Sequence, residues 1–449
     1  MTDTAFDRKP DAARLPIRLV VTDDLERSRG TVFFRLLLAI PHIVVVTLYG
    51  IAAAAVAVIL WLALVIEGKA PRSLQSFVAS YLRYSVQVSA YIHVAASPYP
   101  AFGGDRAYPV DLEIDVAQRQ SRGRVAARLL LVVPALILAG ALGGGAWFGD
   151  FSFASSSSAD FGGGWSTRTN FVGVASSALV LAWFSSVVRG RTPRGLRDLI
   201  VYCIGYTAQV AGYFLLVTDR YPTSDPQRII PEAELPAHPV RLDLSDSLER
   251  SRLTVFFRLL LAIPHFIWLF LWSILAIIIV VPAWIIALII GRVPAPLHRF
   301  LAAWVRYGTH LGAFVTLVGG PFPGFTGTAG SYPVDLVIDP PAAQRRLVTL
   351  FRGLLAIPAL VLASAFSLVL WVIAVLGWWA SIVKREMPEG LRNLGSVALR
   401  YSGQVNAYLF LLTDRYPHSA PVLRELPRDE QLTLALDGQT PIFPEAEPA

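Results

Sequence analysis

The chain has 449 residues, 54% hydrophobic and only 16% charged, with a mean hydropathy of +0.54 and a formal net charge of +7. That is too apolar for an ordinary soluble fold and falls in the integral-membrane class. The positive charge is mostly arginine flanking apolar runs, which points to an anionic membrane surface and away from nucleic acid.

Residues 1–15 are polar and lack the apolar core of a cleavable signal, so the first membrane segment is expected to act as its own uncleaved signal. The first unit, 16–100, opens on Pro16–Val21, whose alternation of apolar and polar residues is the signal of a half-buried strand. Ser28–His42 follows and leads into Leu36–Ile66, a stretch without Asp, Glu, Lys or Arg. It is longer than the ~20 apolar residues that cross a bilayer core. The unit closes on an amphipathic stretch from Ser73 to His93 and the pair Tyr99-Pro100.

This order recurs in 109–222, 239–323 and 333–417. Arg35, Arg128, Arg258 and Arg352 each precede a proline by six residues, and each unit opens on a strand-like segment (Pro16, Pro109, Pro239, Pro333). A second proline (Pro71, Pro193, Pro294, Pro388) has a tryptophan ten residues before it and a tyrosine thirteen after it. Four ungapped matches predict an internal repeat. The first and third units share a His-containing cassette, and the second and fourth share Asp-Arg-Tyr-Pro, so two halves, 16–222 and 239–417, are expected. A Pro-rich linker, 223–238, joins them, and a polar, acidic tail occupies 418–449.

The second unit carries an insertion, 143–171, rich in Gly and Ser. Polar backbone cannot sit exposed in hydrocarbon, so the insertion is expected in water at the tip of a helical hairpin with arms Val125–Leu142 and Val172–Val188. Arginines before and after the hairpin put both its ends in the cytoplasm and the loop outside. In the other units the tip is apolar, and one long tilted helix is the alternative to a hairpin. The amphipathic third helix, with Arg83, Arg306 and Arg400 just before the repeated tyrosine, is expected in the cytoplasmic interface. The predicted fold is therefore predominantly α: strand, membrane helical hairpin and interfacial helix, repeated four times. The four strands, each with one apolar face, are expected to pair into a small β cap that clamps the two halves.

Arg35, Arg128, Arg258 and Arg352, with Arg83, Arg306 and Arg400, are candidates for holding anionic lipid headgroups or lining an interface. The alternative is snorkelling and packing against the third helix. Tyr84, Gln87 and Tyr91 share one helical face, as do Tyr206, Gln209 and Tyr213, then Tyr307 and His310, and finally Tyr401, Gln404 and Tyr408. Such a stripe would line a polar cavity or satisfy hydrogen bonds between helices. His42 and His265 would bind a metal or relay protons only with carboxylates that the apolar run does not supply. No metalloprotease motif, phosphate loop or nucleophile elbow occurs, so neither cofactor nor catalytic residue is expected.

Leu37-Leu-Ala-Ile-Pro-His42, Leu260-Leu-Ala-Ile-Pro-His265 and Ala407-Tyr-Leu-Phe-Leu-Leu-Thr-Asp-Arg-Tyr-Pro417 resemble a family of uncharacterised bacterial membrane proteins, catalogued as a domain of unknown function. The resemblance covers most of 16–417 and implies an inner-membrane location, with no activity attached. The expectation is a non-enzymatic, multi-pass membrane protein of structural or partner-binding role, both termini cytoplasmic, with the bilayer as partner. A transporter or lipid-handling protein is the alternative.

Overall fold

A computed structural model describes residues 15–104, 107–117, 119–143 and 173–423. The insertion falls almost wholly outside the described residues, as do most of the N-terminal segment and the acidic tail. Two compact units emerge: Met1–Ala139 with Ala182–Pro193 and Ile200–Thr223, and Gly140–Leu181 with Arg194–Leu199 and Ser224–Ala449.

The chain begins with β1 (Ile17–Val21), a one-turn helix α1 (Arg29–Phe33), the long α2 (Arg35–Glu67) and α3 (Arg72–Ile92). Next come β2 (Val110–Ile114), short α4 (Arg122–Ala126) and α5 (Arg128–Leu131), α6 (Val133–Gly143), α7 (Val174–Arg189) and α8 (Arg194–Phe214). After α9 (Pro226–Ile229) follow β3 (Val240–Leu244), α10 (Arg252–Phe256), α11 (Arg258–Ile290) and α12 (Ala295–Val315). The last elements are β4 (Val334–Ile338), α13 (Arg346–Leu350), α14 (Arg352–Lys384) and α15 (Glu389–Leu409).

Helices α2, α11 and α14 are each 33 residues long and apolar enough to cross a membrane. The expected hairpins are therefore corrected to single helices in three units. The reason lies at the supposed tips. Ser273 and Ser367 satisfy their hydroxyls on Leu269 O (2.6 Å) and Ala363 O (2.9 Å), one turn earlier in the same helix, so neither polar group needs a turn exposed to water. Gly50 stays helical because Tyr81 packs against it, its hydroxyl 3.0 Å from where a Cβ would lie. The helices stop where a left-handed residue closes the last turn: Gly68, Gly291 and Arg385. In the second unit α6 and α7 are 11 and 16 residues. At 1.5 Å per residue the described parts of these arms are about 17 and 24 Å long.

The strands pair as two antiparallel ribbons, β1 with β2 (Leu19 opposite Leu112) and β3 with β4 (Leu242 opposite Leu336). The expected cap linking the halves is corrected accordingly: each strand pairs inside its own half. In the second half, α12 and α15 pack antiparallel. His298 near the start of α12 meets Leu412 O (3.4 Å) beyond the end of α15, and Gly395 early in α15 faces Val318 beyond the end of α12. The ribbon crosses the middle of this pair: Arg306 reaches Leu336 O (2.9 Å) and Gln404 reaches Val240 O (2.9 Å). Val240, Leu336, Leu301, Val305 and Ala407 share one core.

The long helices flank the pair. α11 runs against α12, with His265 at Tyr307 and Ser273 at Trp304. α14 runs against α15, with Phe366 at Tyr401. Each long helix ends beside the start of the other: Trp284 donates to Thr349 O (2.8 Å), and Trp378 lies against Phe256. Only a narrow stripe of each is covered, as on α11 at Arg258, Ala262, His265, Ala276, Ala283 and Ala287. The rest, including Phe270, Ile277 and Ile289, is exposed.

Candidate functional site: four arginine clamps

Every third helix ends in the same strained turn. Val94, Leu216, Leu317 and Leu411 have φ of 61°, 64°, 64° and 62°. Glycine is the usual residue there, and a bulky one costs on the order of 1–3 kcal/mol. The turn aims two carbonyls inward, and one buried guanidinium bridges them. Arg35 donates to Tyr91 O (2.7 Å) and Ala96 O (3.0 Å). Arg128 donates to Tyr213 O (2.8 Å) and Thr218 O (3.0 Å), and Arg258 to Phe314 O (2.5 Å) and Gly319 O (3.1 Å). Arg352 donates to Tyr408 O and to Thr413 O (3.0 Å). Each guanidinium lies 4.4–4.9 Å above the ring of Tyr91, Tyr213, Phe314 or Tyr408. All four arginines are at most 4% exposed.

A buried cation is tolerated here because it meets the negative end of a helix dipole, carbonyls with acceptor capacity to spare and an aromatic face at once. Of the two roles set out for these arginines, the geometry is that of packing against the third helix.

A second clamp residue sits eight positions earlier and was not singled out from the sequence. Arg27, paired with Asp23 at 2.6 Å, donates to Val94 O and Ala95 O. Arg250, paired with Asp246, donates to Leu317 O and Val318 O. In the other two units Gln120 and Gln344 replace them, donating to Leu216 O (2.7 Å) and Leu411 O (2.6 Å). The available signal was the Asp-to-Arg spacing of four at Asp23 and Asp246.

The third-helix arginines each have protein partners. Arg83 donates to Leu112 O (3.0 Å) and pairs with Asp111 (3.2 Å). Arg306, 9% exposed, donates to Leu336 O and Gly327 O. Arg400, 1% exposed, donates to His418 O (3.1 Å) and Ala420 O (2.6 Å). A two-stranded ribbon leaves carbonyls without ladder partners, and Arg83 and Arg306 supply the donors from the helix beneath.

The polar stripes are spent on neighbours. Tyr84 and Tyr307 bond His42 Nδ1 (2.6 Å) and His265 Nδ1 (2.7 Å). Tyr206 donates to Ala135 O (3.4 Å), and Tyr401 packs on Phe366. Gln87 and His310 hold Asp111 (3.0 Å) and Asp335 (2.6 Å) on the ribbons. Gln209 and Gln404 accept from Thr223 N and His418 N, both at 3.0 Å. Tyr91, Tyr213 and Tyr408 lie under the clamps. His42 stacks on Phe102 and His265 on Phe325, each within its own half. Among the described residues no three His, Cys, Asp or Glu converge. A cavity of about 10 Å³ beside Ile17, Gln209 and Tyr221 has room for about one water.

Three membrane-length apolar helices carried on a clamped helical frame define a predominantly helical protein compatible with a membrane location. The model of one family, the domain of unknown function DUF4389, matches residues 29–103, 252–324 and 346–420. The chain is a DUF4389 protein that carries this domain three times. No curated protein and no solved structure matches it.

Proposed function

We propose that the chain is a non-enzymatic integral membrane protein of four copies of one unit, the second interrupted by its insertion, with a structural or partner-binding role. The recurrence of the clamp supports a fourth copy in 109–222, since Arg128 repeats the two-carbonyl bridge and the ring contact of Arg35, Arg258 and Arg352. The site of action is the bacterial plasma membrane, with the basic flanks and both termini on the cytoplasmic side against anionic headgroups.

The observation that carries the structural role is the engagement of the polar stripes. A carrier needs side chains free to meet a solute, whereas here the stripe residues pack on or bond protein groups, Tyr91 through its ring under Arg35 and not through its hydroxyl. Hydrogen exchange on the protein in lipid nanodiscs tests this. The amides of α3, α12 and α15 should form one slowly exchanging class under all solute conditions. A solute-dependent opening of any of these helices would favour the transporter instead.

A further inference from the structure

We infer that each half lies along the bilayer, not across it, with its long apolar helices immersed in a single leaflet and its ribbon facing water. This rests on the membrane location proposed above and adds the orientation and the lipid surface involved. Four observations from the second half converge, and the first half shares those on length, flanking charge and ribbon.

The first is length. A helix of 33 residues is about 50 Å long, against a hydrocarbon core of about 30 Å. Matching the two by tilt needs roughly 50°, outside the ~0–40° range of spanning helices. A helix about 10 Å thick fits within one ~15 Å leaflet.

The second is the position of the polar parts. The ribbon crosses α12 and α15 at mid-length, and Arg241 and Asp339 at its edge, paired at 3.1 Å, are 38% and 42% exposed. The loop beside it exposes Thr326, Thr328 and Ser331, while Phe325 in the same loop stacks on His265. Were the helices upright, these groups and their irregular backbone would lie at mid-bilayer, where exposed loops are excluded. With the helices flat, ribbon and loop share one aqueous face.

The third is charge. Each long helix is basic at both ends: Arg252 and Arg292 around α11, Arg346 with Lys384 and Arg385 around α14, Arg29 with Lys69 and Arg72 around α2. Basic flanks stay on the cytoplasmic side, so both ends of one uninterrupted helix belong to the same face. Such ends also reach anionic headgroups of one leaflet.

The fourth is the antiparallel course of α11 and α14, each ending where the other begins. Upright, this would put the start of α11 and the start of α14 on opposite faces despite identical basic flanks.

The test uses the full chain with Cys203→Ala, the only cysteine being removed. Ser251→Cys and Arg292→Cys, both exposed, bracket α11. Each is treated with a membrane-impermeant maleimide in intact cells and in inverted vesicles. Labelling of both from one face is expected. Labelling from opposite faces overturns the inference while leaving the membrane location intact. Release of the protein by alkaline carbonate would instead overturn the membrane location. Arg346→Cys and Lys384→Cys bracket α14 in the same way should the first pair fail to accumulate.

Discussion

Replacing Arg258 by Met removes one clamp at constant bulk. The substitution leaves the buried Gly319 O without its arginine donor and removes one donor from Phe314 O, which keeps the Leu317 amide at 3.2 Å. An orphaned buried acceptor costs about 1–3 kcal/mol, and the loss of the cation at a helix C-terminus up to ~2 kcal/mol more. Against this stands the desolvation of the arginine itself, which methionine avoids. The net expectation is a loss of about 3 kcal/mol. Arg258→Lys should lose roughly half of that, because an ammonium keeps the charge but not the planar two-carbonyl bridge. The control is Arg292→Gln at an exposed position, expected within about 0.5 kcal/mol of wild type. Equilibrium unfolding in mixed micelles, followed by tryptophan fluorescence, reads all three. An Arg258→Met loss under about 1 kcal/mol would refute the clamp as a determinant of the fold.

Glycine positions give a paired test. Gly353 has open space around a prospective Cβ, so Gly353→Ala should stabilise α14 by about 1 kcal/mol in the same titration, whereas Gly395→Ala, whose Cβ would lie 2.5 Å from Val318 Cγ2, should destabilise by about 1–3 kcal/mol. Burial lowers His238 to about 4 and His418 to about 3, the nearby Arg400 adding to both. Both folded values lie below the unfolded ~6.5, so their contribution is complete above pH ~6.5 and is lost as pH falls towards 4. Proteolysis around 223–238 and 418–422 should accelerate at pH 5 relative to pH 7.5, and equal rates would contradict the burial of these histidines. Arg18→Cys with Glu113→Cys, directly opposed in the first ribbon, should cross-link readily, and failure to do so would contradict the within-half pairing.

Periodicity made the helices, the strands and the repeat legible, because apolar runs and alternation are local properties of the chain. Arg35 and its counterparts were visible as a pattern, but their partners are backbone carbonyls, which no side-chain motif reports. The turn that presents those carbonyls was hidden too: Val94 and Leu317 sit where glycine would have announced a left-handed residue. An insertion at one small residue, after Leu142, does not mark a bend in the other units, where of hairpin and single long helix the long helix forms. The hydroxyls of Ser273 and Ser367 are satisfied on carbonyls of their own helix and need no turn. The burial of Arg400 was illegible because its acceptors, His418 O and Ala420 O, lie beyond the last repeat motif.

The orientation of the helices is the claim on which the account stands or falls. Polarised infrared spectroscopy of the purified chain in aligned bilayers measures it directly through the amide dichroism. A mean helix axis close to the bilayer plane is expected, with α11, α14 and the shorter helices contributing in the same sense. A mean axis within about 40° of the bilayer normal, the range of spanning helices, would contradict it.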